Sequence, residues 1–254
     1  MPSPNRGSGI AGPMIILDGN GMYRKAKPEK ILYVIGRDDW IKSEYMSRMA
    51  LGGARDLGFK IMWEDPSFGW IFRARKMENL LPGISHRYRK RISKSIHLLY
   101  GLTHWGYFRF RKRMNKSFEF RVENLRKHLR RIGGEDRISI LSYSSGGRIS
   151  SLIADSFRIE RLICIGYPFL NPDEGENPSR YRHLAGLKTP MLIIQGNQDE
   201  YGGSDVERHI PLSPVIELFF VDATHDYRMD GRQWDAVLSK IESTLSPRLF
   251  PEKA

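Results

Sequence analysis

The sequence predicts an α/β fold, with a single domain built on a mostly parallel sheet flanked by helices. Short runs rich in β-branched and aromatic residues alternate with amphipathic stretches, and this alternation is typical of a parallel sheet covered by helices. The 254 residues fit one large α/β domain, and neither a repeat nor a linker marks a second one. We therefore expect residues 1–254 to form one domain with a loose start at residues 1–13.

The elements follow from the apolar pattern in chain order. Strands are predicted at 14–17 (MIIL), 30–36 (KILYVIG), 59–64 (FKIMWE), 137–143 (RISILSY), 161–167 (RLICIGY), 190–196 (PMLIIQG) and 216–222 (IELFFVD). Helices are predicted between them, at 44–57, 118–132, 148–157, 204–209 and 231–245, where apolar residues recur at helical spacing.

Composition narrows the class of protein. The single cysteine, Cys164, excludes an internal disulfide and a multi-cysteine metal site, and its mid-strand position predicts burial as a small apolar residue. Residues 1–14 lack the apolar core of a signal peptide, and no run approaches the roughly 18 apolar residues of a spanning helix. We therefore expect a cytoplasmic protein.

The net charge of +12 comes from one segment. Residues 86–131 hold 15 Lys and Arg against two acidic residues, whereas the rest of the chain holds 26 basic and 27 acidic residues. The charge excess therefore describes this basic segment and not the fold as a whole. Its last part has apolar residues at helical spacing, which predicts a helix that covers the sheet and shows its charges to water. These apolar residues are Phe118, Val122, Leu125 and Leu129.

Residues 65–114 are too long for a turn, and we expect them to form a basic and aromatic insertion after the strand at 59–64. Three interpretations stay open: a wall or lid over a pocket, a surface that binds an anionic partner, or a solvated face. Tyr100, Trp105, Tyr107 and Phe108 among the charges suit lipid head groups, acidic polysaccharide or nucleic acid.

The stretch SYSSGG, at 142–147, stands between a predicted strand and a predicted helix. A nucleophile raised above a sheet needs a tight strand-to-helix turn, which tolerates only small residues two places before and after it. Ser142 and Gly146 meet that requirement around Ser144. The backbone N–H of Ser145, at the helix start, is placed to stabilise an oxyanion. Ser144 is therefore the candidate nucleophile, although all three serines are also typical of turns and helix caps.

An acid and a base follow the serine along the chain, each just after a predicted strand. Asp199 comes just after the strand at 190–196, and His225 comes just after the strand at 216–222. Because parallel strands end at one edge of a sheet, this order predicts that the two side chains meet Ser144 there. Glu200 and Asp205 compete with Asp199, and His209 is the other histidine that follows it.

With these motifs in place, the chain resembles the α/β-hydrolase superfamily, in its dienelactone-hydrolase-like branch of small serine esterases, over roughly residues 28–245. The resemblance rests on SYSSGG, TPMLIIQGNQDEYGG and THDYR. It implies that Ser144 is the nucleophile, Asp199 the triad acid and His225 the general base. A dienelactone hydrolase has cysteine where this chain has Ser144, so the resemblance implies serine ester hydrolysis rather than lactone chemistry. In the family the strand at 59–64 is the fourth, and the insertion follows it.

The second oxyanion donor of this family comes from the loop after the third strand, which reads VIGRDDW here. Gly36 matches the family's glycine, Ile35 replaces its histidine, and the backbone N–H of Arg37 is the candidate donor.

The sequence therefore predicts a serine hydrolase that cleaves a small-molecule carboxylic ester or thioester. We expect no cofactor and no metal site, because phosphate-loop, dinucleotide and zinc motifs are not matched. The alternative is a catalytically weak or inactive protein of the same fold that binds an anionic surface through its basic segment.

Overall fold

A computed structural model describes residues 15–17, 23–25, 29–36, 53–78, 86–132 and 136–246. The strands are β1 (Ile15–Leu17), β2 (Tyr23–Lys25), β3 (Lys30–Ile35), β4 (Lys60–Trp63), β5 (Arg137–Tyr143), β6 (Ile159–Ile165), β7 (Met191–Gly196) and β8 (Ile216–Val221). The helices are α1 (Gly53–Asp56), α2 (Phe68–Glu78), α3 (His86–Thr103), α4 (Tyr107–Lys116), α5 (Phe118–Arg131), α6 (Ser145–Ser151), α7 (Val206–His209) and α8 (Gly231–Leu245). Short 3₁₀ turns lie at Ala154–Ser156, Pro178–Arg180 and Arg182–Gly186.

Six strands form one parallel sheet in the order β4-β3-β5-β6-β7-β8. The chain runs from β3 outward to the edge strand β4 and then returns to β5 on the other side of β3. This reversal opens a crevice at the carboxyl ends of β3 and β5, where ligands bind in open α/β sheets. Ile35 pairs with Ser142 across the two strands, so the loop after β3 faces the turn after β5.

Both faces of the sheet are covered, as a parallel sheet requires. Leu32 and Val34 of β3 belong to a buried cluster that includes residues of α1, α2 and α8. Tyr33 and Ile35, which point the other way, belong to a second cluster with residues of α5, α6 and α7. The near-continuous apolar runs in the sequence reflect this double burial.

The fold class and all six strands of the main sheet agree with the sequence prediction, with each boundary within two residues. The predicted strand at 14–17 differs in its role, because β1 pairs antiparallel with β2 in a separate two-stranded sheet. β2 was not predicted, since YRK lacks any apolar alternation. Residues 1–13 lie outside the described part of the chain.

The helix predictions hold at α5, α7 and α8 and shift elsewhere. The helix predicted at 148–157 begins already at Ser145 and ends at Ser151. Its Gly- and Ser-rich start has poor helix propensity and no apolar period, which hid that boundary. Of the helix predicted at 44–57, the structure describes α1, and residues 44–52 lie outside the described residues.

The basic insertion is helical, with α2, α3 and α4 following β4 before α5 returns to the sheet. Asp65 fixes it to the end of β4. The Tyr107 hydroxyl lies 3.1 Å from both Asp65 carboxylate oxygens and 2.8 Å from the Ser67 Oγ, and Arg111 donates to the Asp65 Oδ2 at 2.9 Å. None of the helices among the described residues has both the length and the apolar character needed to cross a bilayer.

Candidate active site

Ser144 lies in a strained turn between β5 and α6. Its φ is 51° and its ψ is −122°. A positive φ in a residue with a side chain costs free energy, and it persists only where the surrounding structure enforces it. The Ser144 N–H donates to the Ile165 carbonyl at 2.9 Å, and its own carbonyl accepts from the Gly147 N–H at 2.8 Å. The turn is therefore fixed from both sides, with the hydroxyl at the carboxyl edge of the sheet.

The small residues around Ser144 are required by close packing. A Cβ at Gly146 would lie 2.9 Å from the Ile35 Cγ2 and 3.2 Å from the Ser142 Cβ, which leaves no room for a larger residue. Ser142 fits in this buried position because its hydroxyl donates to the Ile163 carbonyl at 2.9 Å.

His225 and Asp199 meet Ser144 at this edge. The His225 Nδ1 lies 3.0 and 2.9 Å from the two Asp199 carboxylate oxygens, and its Nε2 lies 3.0 Å from the Ser144 Oγ. Because a carboxylate only accepts, Nδ1 carries the proton and Nε2 is free to accept from the hydroxyl. This places a proton acceptor against Ser144 and an orienting anion behind it.

Buried donors hold the Asp199 carboxylate in place. The Gln195 amide donates to Oδ2 at 3.0 Å, and the Tyr201 N–H donates to Oδ1 at 2.8 Å. Gln195 is itself fixed, since its amide also donates to the Gly202 carbonyl and its Oε1 accepts from the Tyr167 N–H. Gln195 was not predicted as a site residue, although a polar residue inside the buried run MLIIQG is a recognisable signal.

Two glycines let the loops that carry Asp199 and His225 approach the sheet. A Cβ at Gly166 would lie 3.3 Å from the His225 Nδ1, and the residue has a φ of 65°. A Cβ at Gly196 would lie 2.3 Å from the Ala223 carbonyl oxygen. The His225 imidazole therefore packs against the backbone of Gly166, where no side chain is in the way.

The competing residues are placed elsewhere. The Glu200 carboxylate lies 3.4 Å from the His225 backbone N–H rather than at the ring. Asp205 stands before the first residue of α7, and His209 is exposed at that helix's end. Cys164 is fully buried in β6, as the sequence predicted, and burial raises the pKa of its thiol to about 12.

A buried ion pair joins the loop after β3 to the turn that carries Ser144. Arg121 donates from Nε and NH2 to the two Glu64 carboxylate oxygens at 2.9 and 2.8 Å, and its NH1 donates to the Ser145 Oγ at 2.9 Å. The second carboxylate oxygen also accepts from the Gly36 N–H at 3.1 Å. The pair therefore connects the loop after β3 to the first residue of α6. Arg37, the second predicted donor, lies outside the described residues.

Arg121 corrects one prediction about α5. Leu125 and Leu129 are buried and face the sheet, but α5 does not show all its charges to water, because Arg121 is only 5% exposed. The inward turn is possible because Glu64 follows β4 directly beneath it and supplies the counter-charge. The sequence contains both residues, but they are 57 positions apart and no local pattern links them.

A cavity of about 520 Å³ lies at the sheet edge beside β4, between α5 and the turn from α3 to α4. It is lined mainly by aromatic side chains: Tyr33, Trp63, Tyr100, Trp105, Tyr107 and Phe110, with His104 and His128. Burial, aided by Arg131, lowers the pKa of His128, so its ring stays neutral and its Nδ1 pairs with the Tyr33 hydroxyl. Neither Ser144, Asp199 nor His225 lines this cavity.

Comparison with known proteins places the chain among hydrolases of this architecture. Residues 105–246, more than half of the chain, match a family model described as the alpha/beta hydrolase domain. No curated protein matches the chain in sequence.

Among solved structures, an alpha-beta serine hydrolase homologue from Coxiella burnetii is 15% identical over 95% of this chain and 100% of its own, with a TM-score of 0.51. A hydrolase of the alpha/beta superfamily from Xanthomonas campestris is 14% identical over 86% of this chain and 98% of its own, at 0.48. A structure from a study of metagenome-derived lipolytic enzymes is 13% identical over 93% and 97%, at 0.49. Only the first exceeds 0.5, and at this identity it shows the fold and no more.

Proposed function

The chain belongs to the alpha/beta hydrolase family, and from this premise we propose that it is a serine hydrolase that cleaves a carboxylic ester or thioester. One observation carries the proposal: a continuous hydrogen-bonded relay from Asp199 through His225 to Ser144, with Ser144 in a strained turn at the sheet's switch point. A serine, an imidazole and a buried carboxylate in this arrangement are the parts of nucleophilic acyl transfer.

The proposed reaction has two halves. In the first, the Ser144 Oγ attacks the substrate carbonyl while the His225 Nε2 takes the hydroxyl proton, and the tetrahedral intermediate collapses as His225 returns that proton to the leaving alcohol or thiol. In the second, water attacks the acyl-enzyme, His225 takes a proton from the water, and the acid leaves as the proton returns to the Ser144 Oγ. Asp199 holds the neutral imidazole in the required tautomer and stabilises the imidazolium that forms when His225 takes the proton.

The negative charge that develops on the carbonyl oxygen needs donors close to Ser144. We assign the backbone N–H groups of Ser145 and Arg37 to that role. Ser145 opens α6, and the first N–H groups of a helix have no partner within the helix. The Gly36 N–H is not a candidate, because the Glu64 carboxylate accepts from it.

The test is covalent labelling of the full chain with a fluorophosphonate probe, followed by turnover of short p-nitrophenyl esters. Ser144→Ala abolishes labelling and lowers kcat by about 10⁴- to 10⁶-fold, the usual cost of losing a triad nucleophile. Ser142→Ala is the matched control, because it removes a hydroxyl two residues away whose hydrogen bond goes to a strand carbonyl. Circular dichroism shows that both variants fold.

Two results contradict the proposal. An unlabelled wild-type protein with no turnover leaves the alternative, a binding protein of this fold whose site is inactive. Turnover that survives Ser144→Ala but not Ser142→Ala means that another serine is the nucleophile.

A further inference from the structure

The basic insertion exposes a cluster of large apolar side chains at the junction of α3 and α4. We call the cluster the α3–α4 patch; it consists of Leu98, Leu99, Leu102, Trp105 and Phe108. Trp105 is fully exposed, and Leu102 is 71% exposed. In the rest of the described chain, the exposed large apolar side chains are Trp70, Leu152 and Val215. A contiguous apolar surface of this kind marks a contact with another molecule or a membrane more often than a random exposure.

The five side chains lie on one continuous surface. Leu98 and Leu102 are four residues apart on α3 and therefore neighbours on one face, and Trp105 follows three residues later. Phe108 reaches back from α4 and lies against Gly101, where a Cβ would come 2.2 Å from the Phe108 Cζ. The glycine thus seats the Phe108 ring on α3.

Phe108 is exposed because the other side of α4 is fixed to the loop after β4. Tyr107 is buried, and its hydroxyl reaches Asp65 and Ser67. Arg111, one turn further along α4, donates to the same Asp65. These bonds turn Tyr107 and Arg111 inward and leave Phe108 pointing to solvent. The exposure of Phe108 therefore follows from the way the insertion packs.

The segment that carries the patch is rich in cations. Residues 86–116 contain ten Lys and Arg and no acidic residue. Arg109, Lys112 and Lys116 are exposed and follow one face of α4 at three- and four-residue spacing. Lys94 is exposed one helical turn before Leu98. An apolar centre with a cationic rim is complementary to the surface of a bilayer that contains anionic lipids.

We propose that the α3–α4 patch is a membrane-docking surface that inserts Leu102 and Trp105 into the head-group region of an anionic bilayer. The exposed leucines favour a bilayer over a soluble polyanion as the binding partner. Nucleic acid and polysaccharide bind mainly through cations and stacked aromatic rings. Exposed leucine side chains gain the most free energy where they leave water for acyl chains. The proposal does not depend on the hydrolytic chemistry, because every residue that carries it lies outside the Ser144 site.

The test is sedimentation of the full-length protein with vesicles of phosphatidylcholine, alone or mixed equally with phosphatidylglycerol. We expect binding to the mixed vesicles only, and weakening as salt screens the cations. Leu102→Ser combined with Trp105→Ser lowers the partition coefficient by about tenfold or more, since each buried methylene contributes to insertion. Arg109→Gln, Lys112→Gln and Lys116→Gln together lower it on the order of a hundredfold, at roughly fivefold for each cation.

Matched variants control for surface chemistry elsewhere. Leu152→Ser removes an exposed leucine outside the patch, and the triple change Arg182→Gln, Lys188→Gln and Arg208→Gln removes three exposed cations outside the basic segment. Both leave vesicle binding at the wild-type level. Insertion is read directly from a blue shift of tryptophan emission on adding mixed vesicles, which Trp105→Phe removes. Circular dichroism checks the fold of every variant.

Three results overturn the proposal. One is a wild-type protein that does not sediment with mixed vesicles at low salt. Another is vesicle binding that the charge changes abolish but the Leu102 and Trp105 changes leave intact, which indicates a polyanion-binding surface. The third is a dimer, detected by sedimentation velocity, that these two apolar changes dissociate while vesicles do not compete, which means that a second copy covers the patch.

Discussion

The carboxyl edge of the sheet and the α3–α4 patch put polar and apolar groups to opposite uses. At the edge, the Asp199 side chain is fully buried, and two donors besides His225 hold it in one orientation. At the patch, charged side chains are exposed, and the apolar side chains point to solvent. Desolvated, fixed groups can do chemistry because they need no rearrangement, whereas an exposed mixed surface can only recognise another surface.

The two regions also differ in how much of them the sequence predicts. Ser144, Asp199 and His225 each follow a parallel strand, and parallel strands end at one edge, so chain order alone brings the three together as the structure places them. The patch follows no such rule. The charge excess around it is visible in the sequence, but the exposure of Phe108 depends on the bond between Tyr107 and Asp65, which turns the other side of α4 inward.

The supporting residues of the edge were the hardest to predict. Gln195 is four residues before Asp199 and donates to its carboxylate. The sequence contains a signal for it, because it is a polar residue in an apolar strand. Glu64 and Arg121 left none, because an ion pair between distant residues depends on how α5 crosses the end of β4. Amphipathic spacing also predicts that a charge on α5 faces water, so Arg121 was assigned to the wrong side.

The largest expected effect tests whether the edge acts as one unit. His225→Ala lowers kcat for a short p-nitrophenyl ester by about 10⁴- to 10⁶-fold, as much as loss of the nucleophile, because it removes the imidazole whose Nε2 lies 3.0 Å from the Ser144 Oγ and is the proposed acceptor of its proton. Asp199→Asn lowers kcat by roughly 10⁴-fold, because an amide behind Nδ1 favours the wrong tautomer. Steady-state kinetics measure both effects.

His209→Ala is the control, since His209 is an exposed histidine at the end of α7 and contacts none of the three proposed catalytic residues. A His225→Ala enzyme that keeps wild-type kcat contradicts the proposed relay. The carboxyl edge of the sheet then no longer differs from the α3–α4 patch by having a catalytic role.

The second prediction compares a buried ion pair just after the end of β4 with an exposed ion pair at the start of β4. Glu64→Gln leaves the Arg121 guanidinium buried without its counter-charge, which costs about 3–5 kcal/mol of unfolding free energy. Glu29→Gln breaks the exposed pair with Lys60 and costs about 1 kcal/mol or less. Urea unfolding measures both values.

Adding Arg121→Met to Glu64→Gln restores part of the lost stability, because the double variant buries no unpaired charge. Equal costs for Glu64→Gln and Glu29→Gln would mean that desolvation at the edge does not set the energy of its polar groups.

The smallest expected effect concerns Cys164, which lies near the site but has no role in its proposed chemistry. Its Sγ lies 4.0 Å from the Ser144 carbonyl oxygen, but it is fully buried, and burial raises the pKa of the thiol to about 12. At about pH 8 the thiol therefore stays protonated and unreactive in the folded protein, since the thiolate is the nucleophile. Iodoacetamide leaves the native protein unmodified by mass spectrometry and its esterase turnover unchanged, and it alkylates Cys164 once urea unfolds the chain. Alkylation of the folded protein together with loss of turnover would mean that the sheet beneath Ser144 opens to reagents, so that the edge is not the rigid, dry region that its proposed chemistry requires.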